Sequence, residues 1–150
     1  MTKIADIYDN IITLVETTVP TFKRIPNPYG LDENAAIILR KAYGLAIGAG
    51  NNTGRYIGCY TTWEREFTLG LITQVVNTEN DATGRALVEI DLLDAHRALL
   101  LAFENDGNLS GQAILCEVTD DGGIEYLPGE SGKFLALQIG LRVEYQEPLS

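Results

Sequence analysis

The sequence predicts an α+β domain in which helices cover one face of a mostly antiparallel β-sheet. Three observations predict it: an amphipathic helix opens the chain, a second helix of about twenty residues lies past its middle, and long alternating polar and apolar runs flank that second helix. The links between neighbouring strands, the long helix apart, are too short for crossover helices, which favours antiparallel pairing. With 150 residues, the chain has the length of a single domain, residues 1–150.

Apolar residues at helical spacing define the two main helices. They recur from Ile4 to Val15, and Pro20 prevents the first helix from continuing past Val19. The second helix, residues 85–104, carries two apolar stripes and must therefore be covered twice, by the sheet and by either the first helix or another subunit. The first stripe contains Val88, Leu92, Ala95, Leu99 and Phe103. The second stripe contains Ala86, Ile90, Leu93, Leu100 and Leu101.

Alternation of polar and apolar side chains predicts the strands. In the last one, residues 133–145, every second residue from Leu135 to Tyr145 is apolar. Such a strand would span ~44 Å at ~3.4 Å per residue, against ~17–20 Å for a usual strand. We therefore expect a sheet that continues into a neighbouring molecule, or a projecting arm. The other predicted strands and extended pieces are residues 22–25, 42–48, 60–76, 114–118 and 124–127.

Polar and glycine-rich segments separate these elements. Asp32 can cap a helix of one or two turns that ends at Arg40. Residues 48–54 and 120–123 have the composition of loops. We expect residues 48–58 and 120–132 to be flexible in the free protein and to become ordered on docking, because their glycine, asparagine and aspartate content offers little burial to offset the entropy of ordering.

The formal net charge of −10 restricts the partners. Gripping nucleic acid through many phosphates requires clustered Lys and Arg, and an anionic membrane surface is disfavoured for the same reason. No segment reaches the ~20 apolar residues of a membrane span. Asp6, Asp9 and Asn10 interrupt the N-terminus, so no signal peptide is expected. Cys59 and Cys116 are isolated, which favours buried thiols in a reducing cytosol.

The sequence contains no pattern that predicts a catalytic residue, a cofactor or a metal, and we expect no enzyme activity. The segment 48–54 lacks the Lys-Ser/Thr ending of a phosphate-binding loop. Asp91 and Asp94 lie one helical turn apart, as metal-binding carboxylates can, but Arg97 is placed to pair with Asp94. The alternative from another class is a small acidic hydrolase or ligand-binding domain, which requires Asp91, Asp94 and His96 to converge in a cleft.

The order of elements carries a resemblance to a known family. The features concerned are the turn Asn27-Pro28-Tyr29, the strand 43–48, the long strand through Trp63-Glu64-Arg65-Glu66-Phe67, the long helix and the final strand 134–145. In this order and size the chain resembles the tail-terminator (tail-completion) proteins of long-tailed bacteriophages. The resemblance implies a six-membered ring that caps the tail tube, stops its polymerisation and offers a docking surface to the head-neck complex. It implies no catalytic residues.

The same resemblance gives expectations for location and partners. The protein would be a structural component of the virion at the tail–neck junction, assembled in the host cytoplasm. Its partners would be further copies of itself, the tail-tube protein and the head-neck or connector proteins, with no membrane involved. DNA would pass through the ring without specific binding. A head-tail connector or other neck protein has a similar layout, and what the protein caps, a tube end or a portal, would distinguish the two.

Candidate residues for the ring follow from charge and from the second helical stripe. Acidic residues that face the channel would repel DNA phosphates. The candidates for the channel lining are Glu64, Glu66, Asp120 and Asp121. The candidates for the subunit interface are Ile90, Leu93, Arg97, Leu100 and Arg142.

Overall fold

Two helices and five strands make up the part of the chain that the computed structural model describes, which is residues 3–25, 41–57, 60–75, 82–129 and 132–148. In chain order they are α1 (Lys3–Thr18), β1 (Lys23–Arg24), β2 (Lys41–Ile57), β3 (Tyr60–Val75), α2 (Ala82–Asn105), β4 (Leu115–Gly129) and β5 (Gly132–Pro148). The strands form one sheet in the order β1-β2-β3-β5-β4. All neighbours pair antiparallel except β1 with β2, so the predicted α+β class with a mostly antiparallel sheet is confirmed.

Both helices pack against the same face of the sheet, which we call the inner face. On β5, every second residue from Leu135 to Tyr145 is buried there, as the alternation predicts. On β3, the inner residues Phe67, Leu69 and Leu71 are each at most 1% exposed. Burying one such side chain stabilises the fold by about 1.5–3 kcal/mol, so this continuous layer is the main source of stability.

The helices contribute their predicted apolar sides to this core. α1 buries Ile7, Ile11, Ile12 and Val15 and ends before Pro20. α2 buries its first stripe, whose members are Val88, Leu92, Ala95, Leu99 and Phe103. The buried stripe of α2 therefore faces the sheet, and the second stripe is turned away from it. The shorter helix predicted from Asp32 to Arg40 lies outside the described residues.

The strands are longer than predicted, and two predicted loops are in fact parts of strands. β2 continues through residues 48–54, and β4 continues through residues 120–123. The loop predictions for these two segments are wrong because their small residues accommodate shifts in strand register instead. A Cβ at Gly48 would lie 2.9 Å from the Glu66 carbonyl oxygen, so glycine permits the close approach of β2 to β3. Gly123 has a φ of 72°, which glycine adopts without strain.

The opposite, outer face of the sheet is mostly polar. Its buried apolar cluster lies at one end and is formed by Ile72, Phe134 and Ala136. Elsewhere most residues of the outer face are charged, polar or small, because the residues that alternate with the inner core point this way. Leu115, the register partner of Glu144, is an exposed apolar side chain on this face.

The adjacent leucines of α2 provide a direct test of this packing. Leu92 is 0% exposed, whereas Leu93 is 48% exposed. In dilute monomeric protein, we expect Leu92→Ala to lower the free energy of unfolding by about 2–5 kcal/mol, because it leaves a cavity in the core. Leu93→Ala should cost less than about 1 kcal/mol, because alanine is a good helix former and little packing is lost. Urea denaturation measures both, and equal costs would contradict the assigned orientation of α2.

Candidate assembly surfaces

The second stripe of α2 is largely exposed. Its large aliphatic side chains extend over about 21 Å of helix. We use the name α2 stripe for the four large aliphatic side chains of α2 that are most exposed, which are three members of the second stripe and Leu87 beside it: Leu87, Ile90, Leu93 and Leu101. Of the predicted interface residues on this helix, Ile90, Leu93 and Arg97 are exposed and Leu100 is half-buried. Leu87, at 63% the most exposed of the four, was missed by the sequence prediction because its helical angle lies at the border of the stripe.

Two polar contacts hold α2 across the sheet. Lys41 Nζ of β2 lies 2.7 Å from Asp91 Oδ2, and the Arg85 guanidinium lies 4.7 Å from the centre of the Tyr126 ring on β4. Lys41 and Tyr126 belong to the same cross-strand row of the sheet, at its two ends. The helix is thus fixed to both outer strands, and the direction in which the α2 stripe points is fixed with it.

The outer face of the sheet is acidic. Glu66 and Asp120 are exposed there, and Glu64 is half-buried. The backbone of Asp121 pairs with Ile139, and its side chain lies outside the described part of the chain. Among described side chains, six carboxylates accompany one guanidinium on this face: those of Glu64, Glu66, Glu117, Asp120, Glu125 and Glu144, with Arg142. Three of the four predicted lining residues therefore share one surface.

Arg142 belongs to this acidic face and not to the surface of the α2 stripe. Its guanidinium pairs with Glu117, and Glu66 is its cross-strand neighbour on β3. The sheet separates it from Ile90 and Leu93, so the candidates for the subunit interface lie on two different surfaces of the subunit. The sequence gives the alternation of β5 but not the side on which the helices pack.

A shallow cavity of about 280 Å³ lies on the outer face. Its polar lining is Glu66, Thr68, Thr119, Asp120 and Gln138. A Cβ at Gly140 would displace the Asp120 carboxylate and the Thr119 hydroxyl, so glycine lets these two groups lie over the floor of the cavity. The lining offers carboxylates, hydroxyls and an amide, a surface suited to water and to polar contacts.

The residues of the alternative hydrolase hypothesis do not converge. Asp91 is engaged by Lys41, Asp94 is exposed, and His96 is half-buried. Asp94 and His96 are two residues apart on a helix and so point in different directions. Within the described ranges, no group of three or more His, Cys, Asp or Glu side chains is placed to hold a metal ion. The cation that pairs with Asp91 is Lys41, which the sequence did not indicate.

The surroundings of two buried side chains, Cys116 and Tyr43, raise their pKa values. Cys116 is buried, as predicted, and burial, with the charges of Asp106 and Glu117, raises the pKa of its thiol to about 12. The Tyr43 hydroxyl donates a hydrogen bond of 2.8 Å to Glu16 Oε1. Burial, and then this hydrogen bond, raises the pKa of Tyr43. Both groups stay protonated at neutral pH and have a structural role.

Comparisons with known proteins leave the family open. The sequence matches no model of a known protein family and no curated protein. Neither described helix contains an apolar stretch that would cross a membrane. The arguments for function therefore come from the surfaces described above and from the order of the elements.

The raised pKa of Cys116 predicts a pH dependence of stability. The ordinary pKa of a thiol is 9.0 here, against about 12 in the folded protein. As the pH rises, the folded state keeps the thiol proton longer than the unfolded state does. The contribution of this group to the free energy of unfolding is therefore complete below pH 9 and is lost between about pH 9 and 12. The loss amounts to at most about 1.4 kcal/mol per pH unit. Urea unfolding across this range should show a steeper decline for the wild type than for Cys116→Ala.

A chemical measurement on the same group provides the control. In a Cys59→Ser background, Cys116 is the only thiol. It should react with a disulfide reagent at pH 8 only as fast as the protein unfolds, because a buried protonated thiol is a poor nucleophile. Fast reaction of the native protein would contradict the burial of this residue.

Proposed function

We propose that this chain is a structural virion protein that assembles into a ring of six copies at the end of the tail tube of a long-tailed bacteriophage. It stops polymerisation of the tube and offers a docking surface to the head-neck complex. The observation that carries the proposal is the α2 stripe, an ordered apolar surface on a helix that is already anchored at both sides of its own sheet.

The α2 stripe suits a protein surface better than it suits solvent. A row of exposed large apolar side chains along one side of a helix on a small acidic protein is typical of an interaction site. Complete burial of a large aliphatic side chain is worth about 1.5–3 kcal/mol, and those of the stripe are about half exposed. Covering them in an assembly adds about 1 kcal/mol for each side chain, enough to favour association without affecting the fold of the subunit.

The length of the strands supports an extended assembly. β2 to β5 contain 15 to 17 residues each, about 50–58 Å at ~3.4 Å per residue. α2, with 24 residues, covers only ~36 Å. The strands therefore extend beyond α2, and the strand ends that α2 does not cover can contact neighbouring rings. The element order that resembles the tail-terminator family supports the choice of the tail tube as the partner.

The acidic outer face is an argument that the proposed ring encloses a channel through which DNA passes. If this face lines the ring, phosphates meet a surface of the same sign, which disfavours the contacts that would slow the passage of DNA. The helices and the α2 stripe are then on the outside of the channel wall, where they can contact other subunits and neck proteins.

The proposed assembly is tested with the purified protein and with tubes of the tail-tube protein from the same genome. We expect a hexamer mass by native mass spectrometry, alone or on tubes, and shorter tubes by electron microscopy when the protein is added during polymerisation. Leu93→Glu should reduce both effects at least about tenfold, because a charge in the contact costs more than the ~1.4 kcal/mol that corresponds to that factor. Asp94→Glu, at the neighbouring exposed position, is the control and should leave both unchanged.

The outcome also separates the alternatives. A protein that leaves the tubes unchanged but binds the portal would be a neck connector. A protein that stays monomeric at high concentration and in the presence of tubes would contradict the ring.

The role of the acidic face is tested by charge reversal. Wild-type ring should bind duplex DNA weakly, while Glu66→Lys with Asp120→Lys should strengthen binding at least about tenfold and make it salt-dependent. Glu89→Lys with Glu104→Lys makes the same charge change on the exposed side of α2 and should have a smaller effect. Fluorescence anisotropy at two salt concentrations measures the difference. Tight, salt-sensitive binding by the wild type would overturn this role.

A further inference from the structure

Among the described residues, no strand pairs with either edge of the sheet over most of its length. β1 pairs only with Ala42 and Tyr43, so no described strand lies beside residues 44–57 of β2 on that side. No described strand lies beyond β4 at the opposite edge. Exposed edges usually carry charges or prolines that block further pairing. Residues 44–54 contain neither, and Ile47 is 52% exposed.

The backbone of β2 directs hydrogen-bonding groups to this edge. The Tyr43 carbonyl oxygen accepts a hydrogen bond of 2.8 Å from the Ile25 amide, on the β1 side. Alternate residues of a strand point their N–H and C=O groups in the same direction. The N–H and C=O groups of Leu45 and Ile47 therefore also point away from β3. The Tyr8 hydroxyl donates to the Leu45 carbonyl at 3.4 Å, which agrees with this direction.

The same alternation can be followed across the sheet to β4. The backbone N–H and C=O groups of Ile47 point away from β3. Those of its cross-strand partner Phe67 therefore point away from β2, towards Leu141 on β5. The N–H and C=O groups of Leu141 in turn point back to β3. Val118, the β4 partner of Leu141, therefore directs its amide to the outer edge. The amide of Cys116, two residues earlier, also points to the outer edge, because it donates a hydrogen bond to a carbonyl oxygen in the loop after α2.

The two edge strands differ in charge. Residues 44–54 of β2, along which no described strand lies on the outer side, contain no charged residue. β4 contains no basic residue and four acidic ones, which are Glu117, Asp120, Asp121 and Glu125. Two β4 edges side by side would bring like charges together across the strands, which is unfavourable. A β4 edge beside the uncharged part of a β2 edge avoids this repulsion.

We infer that the β4 edge of one subunit pairs with the β2 edge of the next copy of this chain, so that the sheet continues around the ring. β2 and β4 run in opposite directions within the sheet, so copies related by rotation about an axis along the strands meet in antiparallel pairing. The contact is between unlike edges, and growth ends only when the ring closes. The inference rests on the proposed ring and specifies its interface.

A proline at the β2 edge tests the backbone pairing. Ile47→Pro removes an amide that points away from β3, so the ladder within the subunit loses no hydrogen bond and the melting temperature should change little. Assembly should be lost, with a monomer mass by native mass spectrometry. Ile47→Thr, the matched control, removes the same exposed apolar side chain but keeps the amide, and should still form rings. Assembly by Ile47→Pro would overturn the inference.

Mixing two blocked subunits tests which edges meet. Val118→Pro blocks the β4 edge and leaves the β2 edge, whereas Ile47→Pro leaves only the β4 edge. Each variant alone should be monomeric, and an equal mixture should form dimers with one copy of each, which their masses identify. Dimers of Val118→Pro alone, without mixed dimers, would show pairing between two β2 edges and overturn the inference.

Hydrogen exchange of the wild-type protein tests the same edge pairing without substitutions. It therefore decides the question even if one of the proline variants does not fold. The amides of Ile47 and Val118 should exchange at least tenfold more slowly in the assembled ring than in dilute monomer. Fast exchange in the ring overturns the edge pairing and leaves the proposed function intact. A wild type that forms no ring, alone or on tubes, overturns both.

Discussion

The antiparallel ladder between β3 and β5 decides where every other element of this protein can lie. It runs from Tyr60 and Pro148 to Val75 and Lys133 without a register shift. Because side chains alternate between faces, a slip by one residue would move the apolar set of β5 to the other side of the sheet. The ladder therefore places both helices on the inner face and the carboxylates on the outer face. It also makes β2 and β4 the outer strands, where register shifts and open backbone groups are found.

The elements that could be predicted from the sequence are those with local signals. The alternation of residues 133–145 and the helical spacing of residues 85–104 arise from burial on one side of a single element, so they are visible in the order of residues alone. The paired state of residues 48–54 is not local. It depends on β3 offering its backbone to Gly48 at close range, and glycine is common both in loops and in strands at such approaches.

For the candidate surfaces, too, only residues with a local sequence signal could be predicted. Ile90 and Leu93 were found because helical geometry separates them from the buried stripe. Arg142, another candidate for the subunit interface, lies on the opposite face of the sheet from them, and the sequence does not reveal which side of β5 faces the helices. Asp91 was considered as a metal ligand, whereas its partner Lys41 comes from a strand far earlier in the chain and is brought to it by the packing of α2 on the sheet.

The neighbouring positions Leu92 and Leu93 place two separate selective pressures on one helix. Substitutions at the buried positions of α2 are limited by the core of the subunit itself, which is close-packed and tolerates little change in volume. Substitutions along the α2 stripe are limited only by whatever covers it. In descendants of this protein, the stripe can therefore diverge together with a changing partner while the helix keeps its place, and the exposed side of α2 should evolve faster than its buried side.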